Sequence, residues 1–108
     1  MLQVAIRRVD PEHLTELREW LQVANGPRRS EALATLEDEG VRHELAYLLT
    51  DQQGPILLYV MEVDDVEMTK QAATRSNHSI DADHRRVMSL ALAGHVDAEL
   101  VLDLRESR

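Results

Sequence analysis

Residues 41–64 read VRHELAYLLT-DQQG-PILLYVMEVD, which is two apolar runs joined by four polar residues. Runs rich in leucine, valine, isoleucine and tyrosine are typical of β-strands, and a short polar loop that contains glycine is typical of a hairpin. The pattern therefore predicts two antiparallel strands over 41–50 and 55–64. Because the hairpin is apolar almost throughout, we expect both of its faces to be covered.

Helical spacing of apolar residues predicts helices on both sides of this hairpin. One helix begins at Pro11, where the missing N–H costs nothing, and a second helical piece ends at Gly40. After the hairpin, a short helix begins with Asp64 or Asp65 as its cap, and a further helix covers 82–93.

The two ends of the chain alternate apolar and polar residues, which predicts strands over 2–9 and 96–104. We expect Leu2, Val4 and Ile6 of the first strand, and the aliphatic even-numbered residues of the last, to face the helices. The element order is then β-α-β-β-α-β. It predicts an α+β, ferredoxin-like fold in a single domain over 1–108, with a four-stranded antiparallel sheet and the helices on one face. The open face predicts a homodimer.

Composition excludes several classes of function. The net charge is −8 and only 3% of residues are aromatic, so we expect no binding to nucleic acid or to an anionic membrane surface. The chain has no cysteine, and no basic, apolar leader precedes its first strand, so we expect a cytoplasmic protein. No phosphate-binding loop or zinc-finger spacing is present, and we expect neither a cofactor nor a metal.

Residues 77–84, NHSIDADH, hold the densest group of chemically active side chains. His84 shares a helical stripe with apolar residues, which favours either a hydrogen-bonded core histidine or a base that faces a pocket. His78 is expected in a loop. The carboxylate of Asp81 either caps the helix or orients an imidazole. The spacing of the two histidines matches no common helical metal pair.

The hairpin supplies the remaining candidates. Glu44 lies within an apolar strand, where a carboxylate is costly without a partner; it either forms a salt bridge, for example with Arg7, or faces a pocket with a raised pKa. Tyr59 and Tyr47 each offer a hydroxyl group to a ligand, although both side chains also suit simple packing.

Three segments carry a resemblance to a known family: 40–44 (GVRHE), 57–62 (LLYVME) and 78–84 (HSIDADH). They resemble a family of small bacterial proteins that is catalogued only as a domain of unknown function. More broadly, the element order is similar to that of the dimeric α/β-barrel superfamily. That resemblance implies a pocket between the sheet and its helices, and dimers in which two sheets face each other.

Two hypotheses of function follow. In the first, the protein is a cofactor-free enzyme that transfers a proton, with His84 as base, Asp81 orienting an imidazole, and Glu44 or Tyr59 as acid or hydrogen-bond donor. In the second, it is a ligand-sensing or purely structural homodimer in which the segment that holds His78 only caps a helix. A cavity shared by His84 and Glu44 is required by the first hypothesis and not by the second.

Overall fold

In the computed structural model, which describes residues 1–106, the chain forms an α+β fold with one four-stranded antiparallel sheet and four helices. The elements are β1 (Leu2–Val9), a 3₁₀ turn (Pro11–His13), α1 (Leu14–Asn25), α2 (Arg29–Glu39), β2 (Val41–Asp51), β3 (Gly54–Val63), α3 (Val66–Arg75), α4 (Ser79–Ala91) and β4 (Leu92–Val96). The sheet order is β2-β3-β1-β4. No helix in this part of the chain is both long and apolar enough to cross a membrane.

Local signals set the ends of several elements. The side chain of Asp10 accepts a hydrogen bond from the backbone N–H of Glu12, and that of Asp65 accepts one from Met68, as expected of N-cap residues. Gly40 has φ 69°, the left-handed conformation that commonly ends a helix and that glycine adopts at the lowest cost. The sequence predicted Gly40 as the end of a helix and Asp64 or Asp65 as the cap of the next one.

The core lies between helices α1 and α4 and one face of the sheet. Leu17 of α1 and Leu57 of β3 are 0% exposed, and the stripe of α4 that includes Ile80 and Val87 packs against them. The helical spacing predicted this stripe. The side chains are mainly aliphatic, as expected for a chain without phenylalanine.

The residues of β1 that lie on the helix side of the sheet are not the predicted ones. Arg7 pairs with the buried Leu57, so odd-numbered residues of β1 lie on the side of the helices. Leu2 and Val4, which we expected to face the helices, are 66% and 52% exposed on the opposite face. The prediction was wrong because alternation shows which residues share a face, whereas the neighbouring strand determines which face is covered.

The last strand is shorter than predicted. β4 ends at Val96, and residues 97–106 form no regular structure. Leu100, Leu102 and Leu104 are between 70% and 84% exposed, so they do not face the helices as expected. Alternating residues have the potential to form a strand, but they need an adjacent strand, and β4 stops pairing with β1 at Ile6.

No element within residues 1–106 covers one face of the sheet, and cover of this face by a second copy stays a prediction. Leu45, Tyr47 and Leu49 of β2 are between 38% and 50% exposed on it, beside Leu2 and Val4 of β1. The register places Leu58 and Val60 of β3 on the same face. We call this surface the open face.

We predict that Leu17→Ala lowers the free energy of unfolding by about 2–5 kcal/mol, because the substitution leaves a cavity in the core. Leu90→Ala removes the same atoms from a side chain that is 45% exposed in α4 and should cost less than about 1 kcal/mol. Chemical denaturation of the two variants measures the difference. Equal losses would contradict the assignment of the core.

Candidate functional site

A cleft of about 1160 Å³ lies between the helices and the β2–β3 half of the sheet. All four helices and both strands contribute lining residues, among them Trp20, Leu36, Glu39, Glu44, Tyr59 and His84. The volume lies slightly above the roughly 300–1,000 Å³ of typical small-molecule pockets, because the cleft is open to solvent. The cleft therefore has the size and the mixed apolar and polar lining of a ligand site.

The strands provide the floor of this cleft. Tyr59 pairs with Ala46 of β2 on one side and with Ala5 of β1 on the other, so its ring has small neighbours. Glu44 lies two residues from Ala46 on the same face of β2. A phenol and a carboxyl group thus stand side by side on the floor.

His84 enters the cleft from α4 and is held by Trp20 of α1. The indole Nε1–H donates a hydrogen bond of 3.0 Å to Nδ1 of His84. Indole nitrogen only donates, so Nδ1 must accept, and the neutral ring carries its proton on Nε2. The Tyr59 ring lies edge-on to the imidazole, with ring centroids 6.4 Å apart. No other residue in the described range 1–106 hydrogen-bonds to His84, so Nε2–H is available to a ligand.

A second set of contacts fixes Trp20 itself. The guanidinium carbon of Arg28 lies 5.6 Å from the centroid of the indole ring, within cation–π range. The same guanidinium donates a 2.6 Å hydrogen bond to Asp83 of α4 and another to Glu31 of α2. Arg28 therefore ties α1, α2 and α4 together beside the imidazole.

Three carboxyl groups line the cleft: Glu39, Glu44 and Asp81. Burial is the main cause that raises the pKa of Glu39 to about 7, and Asp81, Glu44 and Asp38 add repulsion. Burial and Asp81 raise the pKa of Glu44. The side chain of Glu44 keeps contact with solvent in the cleft, yet the surrounding walls remove enough water to disfavour its charged form.

Tyr59 and His84, two of the hydrogen-bond donors that line the cleft, each stay in one protonation state near neutral pH. Burial, and then the nearby Glu44, raise the pKa of the Tyr59 phenol well above its usual value. Burial lowers the pKa of His84, against an opposing effect of Asp81. A protonated phenol and a neutral imidazole are therefore the states that meet a ligand.

The other predicted residues of the 77–84 segment make separate contacts. Nε2 of His78 lies 2.6 Å from Oδ2 of Asp38 in α2, and this hydrogen bond raises the pKa of the imidazole. Asp81 accepts a hydrogen bond from the hydroxyl of Ser76. His78 is the N-cap residue of α4 but makes no side-chain cap bond. The backbone N–H of His78 donates to the hydroxyl of Ser76, and Asp81 lies in the first turn of α4. Trp20, and not Asp81, hydrogen-bonds to the imidazole of His84.

The position of Tyr47 and the contacts of Arg7 differ from those expected. Tyr47 lies on the open face, half exposed, and does not line the cleft. Arg7 donates to the backbone carbonyl of Gly94 and does not pair with Glu44, which forms no ion pair among the described residues. The structure thus brings together Glu44, Tyr59, His84 and Asp81, and leaves Tyr47 outside.

Sequence reasoning missed Trp20 and Glu39. Trp20 is the only tryptophan of the chain, and a buried indole N–H needs an acceptor, so it signalled a polar partner without naming one. Glu39 stands immediately before the helix-ending Gly40, where a carboxylate opposes the helix dipole.

Metal-ligating groups do not converge in the cleft. Within residues 1–106, the group of side chains whose ligand atoms lie within 4.8 Å of one another is Asp10, Glu12 and His13, outside the cleft. There, Asp10 caps the backbone N–H of Glu12, and His13 contacts Glu16. Local structure thus accounts for Asp10 and His13 in that group.

One family model matches this chain over residues 2–108, and its description is a family of unknown function, DUF6176. No curated protein matches the chain. The match confirms the expectation of an uncharacterised family.

We predict that Glu39→Gln raises the free energy of unfolding at pH 8 by roughly 1 kcal/mol or more and changes it far less at pH 5. A pKa raised from 4.5 to about 7 means that the folded protein binds more protons than the unfolded chain in this window. Stability is therefore lost as the pH rises through 7, and glutamine avoids that loss. Glu37→Gln, an exposed change of equal charge in α2, is the control for denaturation at both pH values. The same pH dependence in both variants would contradict the assignment.

We predict that Trp20→Phe raises the pKa of His84 toward 6.5. The indole N–H bonds only to the neutral imidazole, so its loss removes a preference for that form. Titration of the imidazole C–H signals by NMR measures the shift, and the curves of His43 and His95, which do not bond to Trp20, serve as internal controls. An unchanged curve for His84 would show that the hydrogen bond has no influence on its protonation.

Proposed function

The chain belongs to DUF6176, a family of unknown function, and we propose that its cleft binds a small molecule and exchanges a proton between that molecule and Glu44. The observation that carries the proposal is that Glu44, Tyr59 and His84 line one cavity, next to one another on the sheet floor and on α4. A carboxyl group with a raised pKa beside two hydrogen-bond donors is an arrangement suited to acid–base chemistry.

Glu44 is the group that accepts the proton. A carboxylate whose pKa lies above its usual range is a stronger base than one of ordinary pKa, and its protonated form persists closer to neutral pH. Its solvent contact within the cleft gives a ligand access to it. This assignment differs from the expectation that His84 is the base.

His84 and Tyr59 are the groups that hold the ligand's oxygen. His84 presents Nε2–H because Trp20 occupies Nδ1, and a ring in this state donates and does not abstract. Tyr59 presents its O–H because the pKa of its phenol is raised. Two donors directed at one oxygen stabilise negative charge that develops on it.

The reaction class that fits these roles is proton transfer at a carbon next to a carbonyl group. The proton moves from that carbon to the Glu44 carboxylate, and the electron pair moves onto the carbonyl oxygen, which accepts hydrogen bonds from His84 and Tyr59. Return of the proton to the same or a neighbouring carbon completes an isomerisation or racemisation. The lining of the cleft contains the carboxyl groups of Glu39, Glu44 and Asp81 together with Arg29, Arg42 and Arg85, so it does not select one charge of substrate.

A second candidate function is ligand sensing without chemistry in a homodimer. It is favoured by the hydrogen bonds of Ser76 to Asp81 and of His78 to Asp38, which give this segment a structural role and leave only part of it in the cleft. Under this alternative, ligands bind but no proton is exchanged.

We also propose a fold type, an oligomeric state and a cellular compartment. The sheet order β2-β3-β1-β4 supports a ferredoxin-like fold of the dimeric α/β-barrel type. The exposed apolar side chains of the open face support a homodimer in which two open faces meet. The absence of cysteine supports a reducing compartment such as the cytoplasm.

We predict that the protein catalyses exchange of the proton next to the carbonyl group in members of a panel of small ketones and aldehydes in D₂O. Deuterium incorporation followed by NMR measures the rate. Glu44→Gln should lower it by about 10²-fold or more, while a thermal shift assay still detects binding of the same compound.

Matched variants make this test specific. Tyr59→Phe should slow the exchange, whereas Tyr47→Phe, the same change on the open face, should leave it unaffected. Glu37→Gln controls for charge. Binding without exchange in the wild-type protein would favour the sensing alternative, and exchange that survives Glu44→Gln would refute the role of Glu44.

A further inference from the structure

The cleft is open along the free edge of β2. Five consecutive residues, 42–46, line it, although alternate side chains of a strand point to opposite faces. The cleft therefore extends around the backbone of β2. Because β2 is an edge strand in the order β2-β3-β1-β4, its outer N–H and C=O groups have no strand partner among the described residues. The site lacks a wall on this side.

The chain also carries a segment with the pattern of a strand but with no strand beside it. We call residues 97–104 the tail. In the tail, Ala98, Leu100, Leu102 and Leu104 alternate with the acidic residues Asp97, Glu99 and Asp103, apart from Val101. Its three leucines are at least 70% exposed. The unpaired edge of β2 is 11 residues long and largely apolar. An edge of this kind can form backbone hydrogen bonds with an extended segment such as the tail.

We propose that the tail of one copy pairs with the edge of β2 in a second copy, as a fifth strand that closes the open side of that copy's cleft. The inference rests on the proposed homodimer and adds that each site is completed by the partner. The even-numbered residues of the tail would join Leu45, Tyr47 and Leu49 on the open face. The acidic residues would lie on the cleft side, where Arg42 is 73% exposed at the rim and pairs with Asp64, and where the carboxyl group of Glu44 opposes them.

Geometry excludes the same pairing within one copy. The tail follows β4, at the edge opposite β2, and three strand spacings of about 4.8 Å separate the two edges. Eight extended residues span roughly 26 Å. Crossing its own sheet would consume more than half of that length and leave too few residues to form a strand. A second copy has no such limit.

Exchanged tails would also enlarge the interface between the two copies. Four strands of this length give the open face roughly 500 Å² in projection, and a stable interface buries roughly 800 Å² of accessible surface on each partner. Two exchanged tails add to the area that the open faces bury, so they strengthen the homodimer without being required for it.

Engineered thiols test the proposal in the chain of 108 residues, which contains no cysteine. Protein with Leu102→Cys is mixed with a tagged variant, Leu45→Cys, Tyr47→Cys or Leu49→Cys, and is oxidised after subunit exchange. We expect a disulfide-linked heterodimer in at least one of the three mixtures, at fivefold or more the yield of the control mixture with Leu90→Cys on α4. No mixture above the control would overturn the proposal.

A double cysteine variant tests whether the tail instead pairs with β1 of its own chain. If β4 simply continued along β1, the register Ile6 to Val96 would place Leu100 opposite Leu2. Efficient formation of an intrachain disulfide in Leu2→Cys/Leu100→Cys would therefore overturn the exchange of tails.

Sedimentation measures the oligomeric state and so distinguishes a failure of the tail exchange from a failure of the proposed homodimer. A wild-type monomer would refute both the homodimer and the tail exchange. A wild-type dimer without cross-links would refute the tail exchange alone, and the open-face dimer would stand. Proton exchange in D₂O is measured independently of either result.

Discussion

The hydrogen bond from Trp20 to His84 is the interaction on which the arrangement of the helices around the cleft depends. A buried indole N–H and a buried imidazole nitrogen are each costly without a partner, and here each satisfies the other across the contact between α1 and α4. The bond also fixes which nitrogen of His84 carries the proton. One contact thus serves both the packing of the helices and the chemistry of the cleft. Arg28, against the indole face and bonded to Asp83, holds the same two helices from the solvent side.

Much of the fold could be predicted because its signals are local. The helical stripe through Ile80 and Val87, the glycine that ends α2 and the apolar hairpin each depend on residues close together in the chain. The facing of β1 could not be predicted in this way. Leu2 and Val4 make the better apolar set, yet they lie on the open face, because the pairing of Arg7 with Leu57 determines the orientation of the strand. Periodicity in 97–104 likewise does not by itself produce strand pairing, although β1 extends to Leu2 and pairs with β4 only as far as Ile6.

The candidate site, like the fold, could be predicted from the sequence only in part. Glu44 could be found from sequence, because a carboxylate within an apolar strand signals an unusual environment. Tyr59 and His84 were also candidates from the sequence, whereas Glu39 was missed; the three residues come from separate elements, and only the fold brings them to one cavity. The dense segment 77–84 was informative about His84 and misleading about Asp81. In the structure the carboxylate of Asp81 accepts from Ser76 and acts on its neighbours through its charge.

The bare edge of β2 has a consequence for how the chain behaves at high concentration. An edge strand of 11 residues with exposed leucine and tyrosine side chains is a template for any extended segment, including one from a partly folded copy. Pairing that is reciprocal between two chains closes on itself, whereas pairing in a single direction continues without end and leads to aggregates. Charged residues at the two ends of β2, Arg42 and Asp51, are both already held in ion pairs, with Asp64 and Arg8. Solubility of this protein during synthesis therefore depends on how quickly the edge is covered.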